Sequence, residues 1–140
     1  MKFTPHSLFA LTSGLLLALG TIFASRTFDI ILHDSFYVIG YLPISISFSL
    51  ISGLMALIYF ILQKTRKRVN HRTGFWHWGL FNFGWVLLAI SFNLEHVIKK
   101  NYEVENLITG LLFGGLTTFS ISFLTFAYGV SKAINNDKSS

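Results

Sequence analysis

The sequence predicts an all-α fold, an integral membrane bundle of four helices, from three observations. The 140 residues are 52% hydrophobic and 12% charged, whereas ordinary soluble domains carry ~25% charged residues. Four apolar stretches, at about 8–24, 36–62, 75–97 and 107–130, approach or exceed the ~20 residues that a membrane-crossing helix needs. Together they consume almost the whole chain. Residues 1–134 therefore read as one transmembrane domain, and 135–140, "NNDKSS", as a disordered polar tail.

The first stretch follows Lys2 and runs through "ALG" at Ala18–Gly20, the layout of a signal peptide with a cleavage site. The apolar run continues past that point, so a retained helix is the expectation. The second stretch opens with "PISISFSLIS", whose alternation suggests a strand. It runs on into "GLMALIYFIL", far beyond the ~10 residues of a membrane strand, and reads as helix. Pro43 starts or kinks that helix, and Asp34 is the expected N-cap, where a carboxylate meets the positive end of the dipole.

The third stretch begins with Trp76, His77 and Trp78. Both tryptophans fit an interfacial aromatic belt, and His77 is expected to snorkel beside them. A proton-uptake role for His77 has no partner visible in the sequence. The fourth stretch is rich in small and hydroxyl residues: Gly110, Gly114, Gly115, Thr117, Thr118, Ser120, Ser122 and Thr125. Gly14 and Ala18 repeat the spacing in the first. Such residues let helices approach closely, within this bundle or against another chain.

Charge sets the expected orientation. The segment "QKTRKRVNHRTG" at 63–74 holds five of the eleven basic residues: Lys64, Arg66, Lys67, Arg68 and Arg72. With four spans it shares a side with both termini. The opposite side carries five of the six acids. The positive-inside rule then puts both termini and the basic segment on the cytoplasmic side of a bacterial inner membrane, or the matrix side of a mitochondrial one. The basic segment reads as a topology signal that meets anionic headgroups, and no nucleic-acid partner is expected. There are no cysteines, which excludes disulfides, thiol catalysis, iron–sulfur ligation and cysteine-bound copper.

"FDIILHDSFYVIGYLP", from Phe28, resembles the most characteristic segment of subunit I of the haem-copper terminal oxidases. "LFALTSGLLLALGTIFASRTFDIILHD" is similar to the helix preceding that segment, and "SGLMALIYFIL" to the one following it. "WHWGLFNFGWVLLAISFN" keeps His77, Leu80 and Gly84 in the family's register, and "KKNYEVENLITGLLFGG" is similar to the entry into the final core helix. The resemblance covers the last four core helices, the C-terminal third of the family's subunit. The copper ligands and one haem ligand of that family lie on helices with no counterpart here. Two further haem-ligand histidines fall at Tyr41 and Pro43. Tyrosine ligates iron only as the costly phenolate, and proline does not ligate at all. No haem or copper is therefore expected.

The resemblance implies a non-catalytic subunit or accessory factor of a respiratory electron-transfer complex, partnered by oxidase-like membrane subunits. Two alternatives stand beside it. One is a stand-alone homo-oligomer, a trimer by analogy with the three arcs of the oxidase core, with an ion site on its outer face. The other is one fragment of a split subunit I. The family's outer magnesium site has a histidine–aspartate pair at His33 and Asp34. Glu95 and His96, at the far end of the third stretch, share that side. Together His33, Asp34, Glu95 and His96 suit a divalent ion, Mg, Mn or Zn. The alternative is that both pairs cap helices and bind interfacial water.

Overall fold

The computed structural model describes residues 4–32, 35–65, 69–97 and 102–135; the side chains of 28–37 and 92–105 lie outside that description. In chain order the elements are α1 (Pro5–Ile22), β1 (Thr27–Leu32), β2 (Ser35–Gly40), α2 (Tyr41–Lys64), α3 (His71–Val97) and α4 (Tyr102–Asn135). Three helical segments, Pro5–Ile22, Tyr41–Lys64 and Asn106–Asn135, are long and apolar enough to cross a membrane. α3 is long enough, at ~40 Å for its 27 residues, but carries His77 and Asn82 in its first half and is less apolar.

α1 starts where it must. Pro5 takes the first helical position, where its missing N–H costs nothing. Thr4 is the N-cap, and its backbone N–H donates to Ser7 Oγ at 3.1 Å. The helix closes at Phe23, whose N–H reaches Leu19 O at 3.0 Å.

A β-hairpin follows, and it corrects the sequence reading at two points. β1 and β2 pair antiparallel from Thr27↔Gly40 to Leu32↔Ser35. Residues 36–40, assigned above to the second span, are therefore strand. "TFDIIL" and "SFYVIG" are rich in β-branched and aromatic residues that favour a pleated surface. Composition alone merged this short apolar strand with the helix behind it. The second correction concerns the cap: α2 begins at Tyr41 with Gly40 as N-cap, so Asp34 does not cap it. The Tyr41 N–H donates to Arg26 O at 3.0 Å, closing the open end of the hairpin onto the start of α2.

α2 confirms that "PISISFSLIS" is helical. Ser45, Ser49 and Ser52 recur at helical spacing and are all buried. Ser49 Oγ donates to Ser13 O and Ser13 Oγ to Ser49 O, each at 2.9 Å. Ser52 Oγ donates to Phe9 O at 2.8 Å. Small hydroxyl residues thus zip α1 to α2 at close range, with Gly20 set directly against Ser45. Pro43 sits in the first turn of α2, where its missing N–H breaks no helical bond.

α3 pairs with α4 as α1 does with α2. Gly84 and Gly115 face each other there: a Cβ on Gly84 would meet Phe119 N at 3.0 Å and Gly115 O at 3.1 Å. α1 also crosses α3. Trp78 Nε1 donates to Thr12 Oγ1 at 3.0 Å, Thr12 Oγ1 donates to Asn82 Oδ1 at 3.3 Å, and Asn82 Nδ2 donates to Trp78 O at 2.8 Å. Trp78 therefore turns inward, unlike Trp76, which is 59% exposed. The core is aromatic and draws on every helix: Phe9, Met55, Tyr59 and Phe81 at its centre, with Phe119, Phe123 and Phe126 packed against them.

Candidate functional site

On α3 the buried positions among the described side chains are Gly74, His77, Phe81, Gly84, Leu88 and Ser91, alternating steps of three and four. On α2 the buried face includes Ser52, Met55, Tyr59 and Leu62. The two stripes bring Tyr59 and His77 together in the aromatic core. Tyr59 is 4% exposed and His77 fully buried, with Tyr59 Oη 2.8 Å from His77 Nδ1. The imidazole is flanked by Phe9 and Phe126, ring centroids 4.7 and 5.0 Å away. Its backbone carbonyl accepts a bond from Ser122 Oγ of α4 at 3.2 Å.

The snorkelling expected of His77 is thus overturned. The basic segment and two tryptophans beside it suggested an interfacial ring, but its helical phase turns it inward. The signal was present in the sequence: His77 lies four residues before Phe81 and seven before Gly84, on the packing stripe.

His77 Nε2 is buried and has no hydrogen-bond partner among the described residues. Two tautomers are open to the ring. With the proton on Nε2, Tyr59 donates to Nδ1 and the Nε2–H faces aromatic neighbours. With the proton on Nδ1, His77 donates to Tyr59 and the phenolic hydrogen is released for another acceptor. The pair shares one buried hydrogen bond, set among the rings of Phe9 and Phe126.

Tyr59 also borders a cavity of about 430 Å³. Its walls come from the start of α1 (Thr4, Pro5, His6), the end of α2 (Tyr59, Gln63) and the entry to α3 (Val69, Asn70, His71). Gly74 shapes its edge, since a Cβ there would meet Pro5 Cγ at 2.5 Å and Tyr59 Cε1 at 3.7 Å. Asn70 Oδ1 accepts the Arg72 N–H at 3.0 Å, which caps α3.

The metal set expected from sequence falls elsewhere. His33 and Asp34 lie outside the described residues; Glu95 and His96 belong to the last turn of α3, with side chains outside them. Among the described residues no group of three histidine or acidic side chains could hold a metal ion. The hydroxyls of α4 have mixed roles. Thr118, Ser120 and Thr125 bond back to their own helix at 2.7–2.9 Å, and Ser122 crosses to α3.

Comparison with family models, with curated proteins and with solved structures found no match to this chain. The fold defines the class: a helical bundle of membrane type, carrying one β-hairpin and a buried tyrosine–histidine pair.

Proposed function

We propose that this chain is a non-catalytic integral membrane subunit or accessory factor of a respiratory electron-transfer complex. The observation supporting this reading is the hairpin. Within the segment that most resembles oxidase subunit I, Thr27–Leu32 and Ser35–Gly40 pair as a β-ladder that leads into α2, with Val38 56% and Ile39 37% exposed. Exposed apolar strand residues on a hairpin suit docking against another membrane subunit. The chain's own chemistry argues against catalysis alone, because Tyr41 and Pro43 stand where haem-ligand histidines would be needed. In this reading all four helices cross the bilayer, with both termini and the basic segment on the cytoplasmic or matrix side.

The test is purification of the tagged full chain in mild detergent, with identification of its partners and an absorption spectrum. A haem-bearing membrane complex that co-purifies, and dissociates on Val38→Asp, supports the proposal. Recovery of the chain alone from native membranes in every mild detergent refutes it.

A second reading, a stand-alone homo-oligomer with a trimer favoured, draws on α4. Gly110 has open space where a Cβ would stand, and Leu107, Phe113 and Leu116, within two turns of it, are exposed. Small residues flanked by large exposed ones suit close helix contact between chains, and unlike faces close into rings. Native mass spectrometry of the purified chain separates the readings. A trimer that Gly110→Leu dissociates favours the second, and a monomer removes it.

A further inference from the structure

We propose that the free edge of β2 pairs with the β2 edge of a second copy of this chain, joining the two hairpins into one antiparallel sheet. The register fixes which backbone groups are available. The Tyr41 N–H donates to Arg26 O, so residues 26 and 41 form a hydrogen-bonded pair that extends the ladder. In an antiparallel ladder such pairs alternate with pairs whose N–H and C=O groups point away from each other. Phe28↔Ile39, Ile30↔Tyr37 and Leu32↔Ser35 therefore bond inward, and Thr27↔Gly40, Asp29↔Val38 and Ile31↔Phe36 point outward. The free edge of β2 presents the backbone of Phe36, Val38 and Gly40. Among the described residues Val38 makes no backbone hydrogen bond outside the ladder.

The surroundings leave that edge open. β1 packs toward α3, whereas β2 packs toward the α2 into which it runs. Val38 is 56% and Ile39 37% exposed. Successive strand residues point to opposite faces, so at this end of β2 the bundle covers neither face. A two-stranded hairpin is marginal by itself, and further strands supply the pairing that it lacks.

A second copy as the occupant follows from charge and register. β2 reads "SFYVIG", without the charges and prolines that close a strand edge to pairing. β1 carries Asp29 at the centre of its outward set, and self-pairing there would set Asp29 directly against Asp29, which like charges oppose. Of the two edges, β2 is the self-complementary one. With a twofold axis at Val38, its N–H and C=O exchange bonds with Val38 of the second copy. The Gly40 N–H of each copy then reaches the Phe36 carbonyl of the other. This contact uses the strand's edge and goes beyond the docking described above, leaving the Val38 and Ile39 side chains to the membrane subunit.

The full chain is purified in mild detergent and reconstituted in nanodiscs, and native mass spectrometry is expected to show a dimer. The chain has no cysteine of its own, so introduced ones report without background. Under mild oxidation Val38→Cys should cross-link the two copies, and Thr27→Cys, also exposed but on the far edge, should not. Val38→Pro removes an N–H that the hairpin itself does not use, and Val38→Lys sets like charges across the twofold. Each should raise the dimer dissociation constant roughly tenfold or more. Amide exchange at position 38 should be slow in the unmodified dimer and fast in Val38→Lys, with the Ile39 amide, bonded inside the ladder, protected in both. A chain that is monomeric in detergent and in nanodiscs overturns the second copy as occupant, leaving the edge to a strand of another protein. A trimer, a dimer indifferent to both substitutions, or fast exchange at Val38 within the dimer overturns the edge pairing. Should Val38→Pro fail to fold, Val38→Lys and the cross-linking decide.

Discussion

Replacing Gly84 with alanine tests how the two halves of α3 and α4 are held together. The added Cβ would stand 3.0 Å from Phe119 N, 3.1 Å from Gly115 O and 3.3 Å from Phe119 Cα. All three are backbone atoms of the facing helix, so no rotamer change relieves the contact. The helices must separate by several tenths of an ångström, and overpacking of this kind costs ~1–3 kcal/mol. Alanine is also a better helix former than glycine by ~1 kcal/mol, which would obscure the loss in a single measurement. Gly110→Ala removes that ambiguity. It lies mid-helix on α4 with nothing within 4 Å of the new Cβ, so it gains the propensity without the clash. The stability difference between the two variants should therefore be ~1–3 kcal/mol, with Gly84→Ala the weaker. Unfolding in mixed micelles, followed by tryptophan fluorescence, measures it. Equal stability of the two variants would show that α3 and α4 do not approach at Gly84.

Tyr59→Phe leaves His77 without its hydrogen-bond partner in the core and should cost ~1–3 kcal/mol by the same unfolding assay; no measurable loss would mean the pair is not formed. Ser52→Ala removes the bond to Phe9 O at a fully buried site, and should cost ~1 kcal/mol, whereas Ser47→Ala, whose hydroxyl bonds back within its own exposed turn, should be close to neutral. Single cysteines placed at Ser35 and at Asn135 should label from opposite sides of the membrane; labelling from one side would end the four-span topology. Metal analysis of the purified chain should find a divalent ion that His33→Ala and Glu95→Gln remove, and an ion content unchanged by both would eliminate His33, Asp34, Glu95 and His96 as its ligands.

The second span shows where pattern reading succeeds and where it stops. "PISISFSLIS" looks like a strand by alternation, yet its unbroken apolar continuation into "GLMALIYFIL" points to helix, because an isolated membrane strand leaves backbone groups unsatisfied, and both lie within the 24-residue α2. The hairpin before it was missed for the opposite reason. Phe36–Ile39 is as apolar as the helix that follows, and hydropathy carries no information about the ladder partner at Phe28–Ile31. His77 was misplaced because neighbours in sequence outweighed helical phase: the basic segment and two tryptophans point to the interface, but the three-and-four spacing to Phe81 and Gly84 points to the core.

The sequence by itself determined the class of protein and the approximate position of each helix. Nearly continuous apolar stretches have few ways to satisfy their backbone other than helices, and the few charges collect in the connections and ends. Only the tertiary structure decided which polar groups meet. Ser13 and Ser49 are 36 residues apart, Thr12 and Trp78 are 66 apart, and Tyr59 and His77 are 18 apart. Each pair lies on different helices, so it is set by how those helices cross and rotate rather than by local spacing. The cavity beside Tyr59 belongs to the same category, since three chain segments must converge before its walls exist.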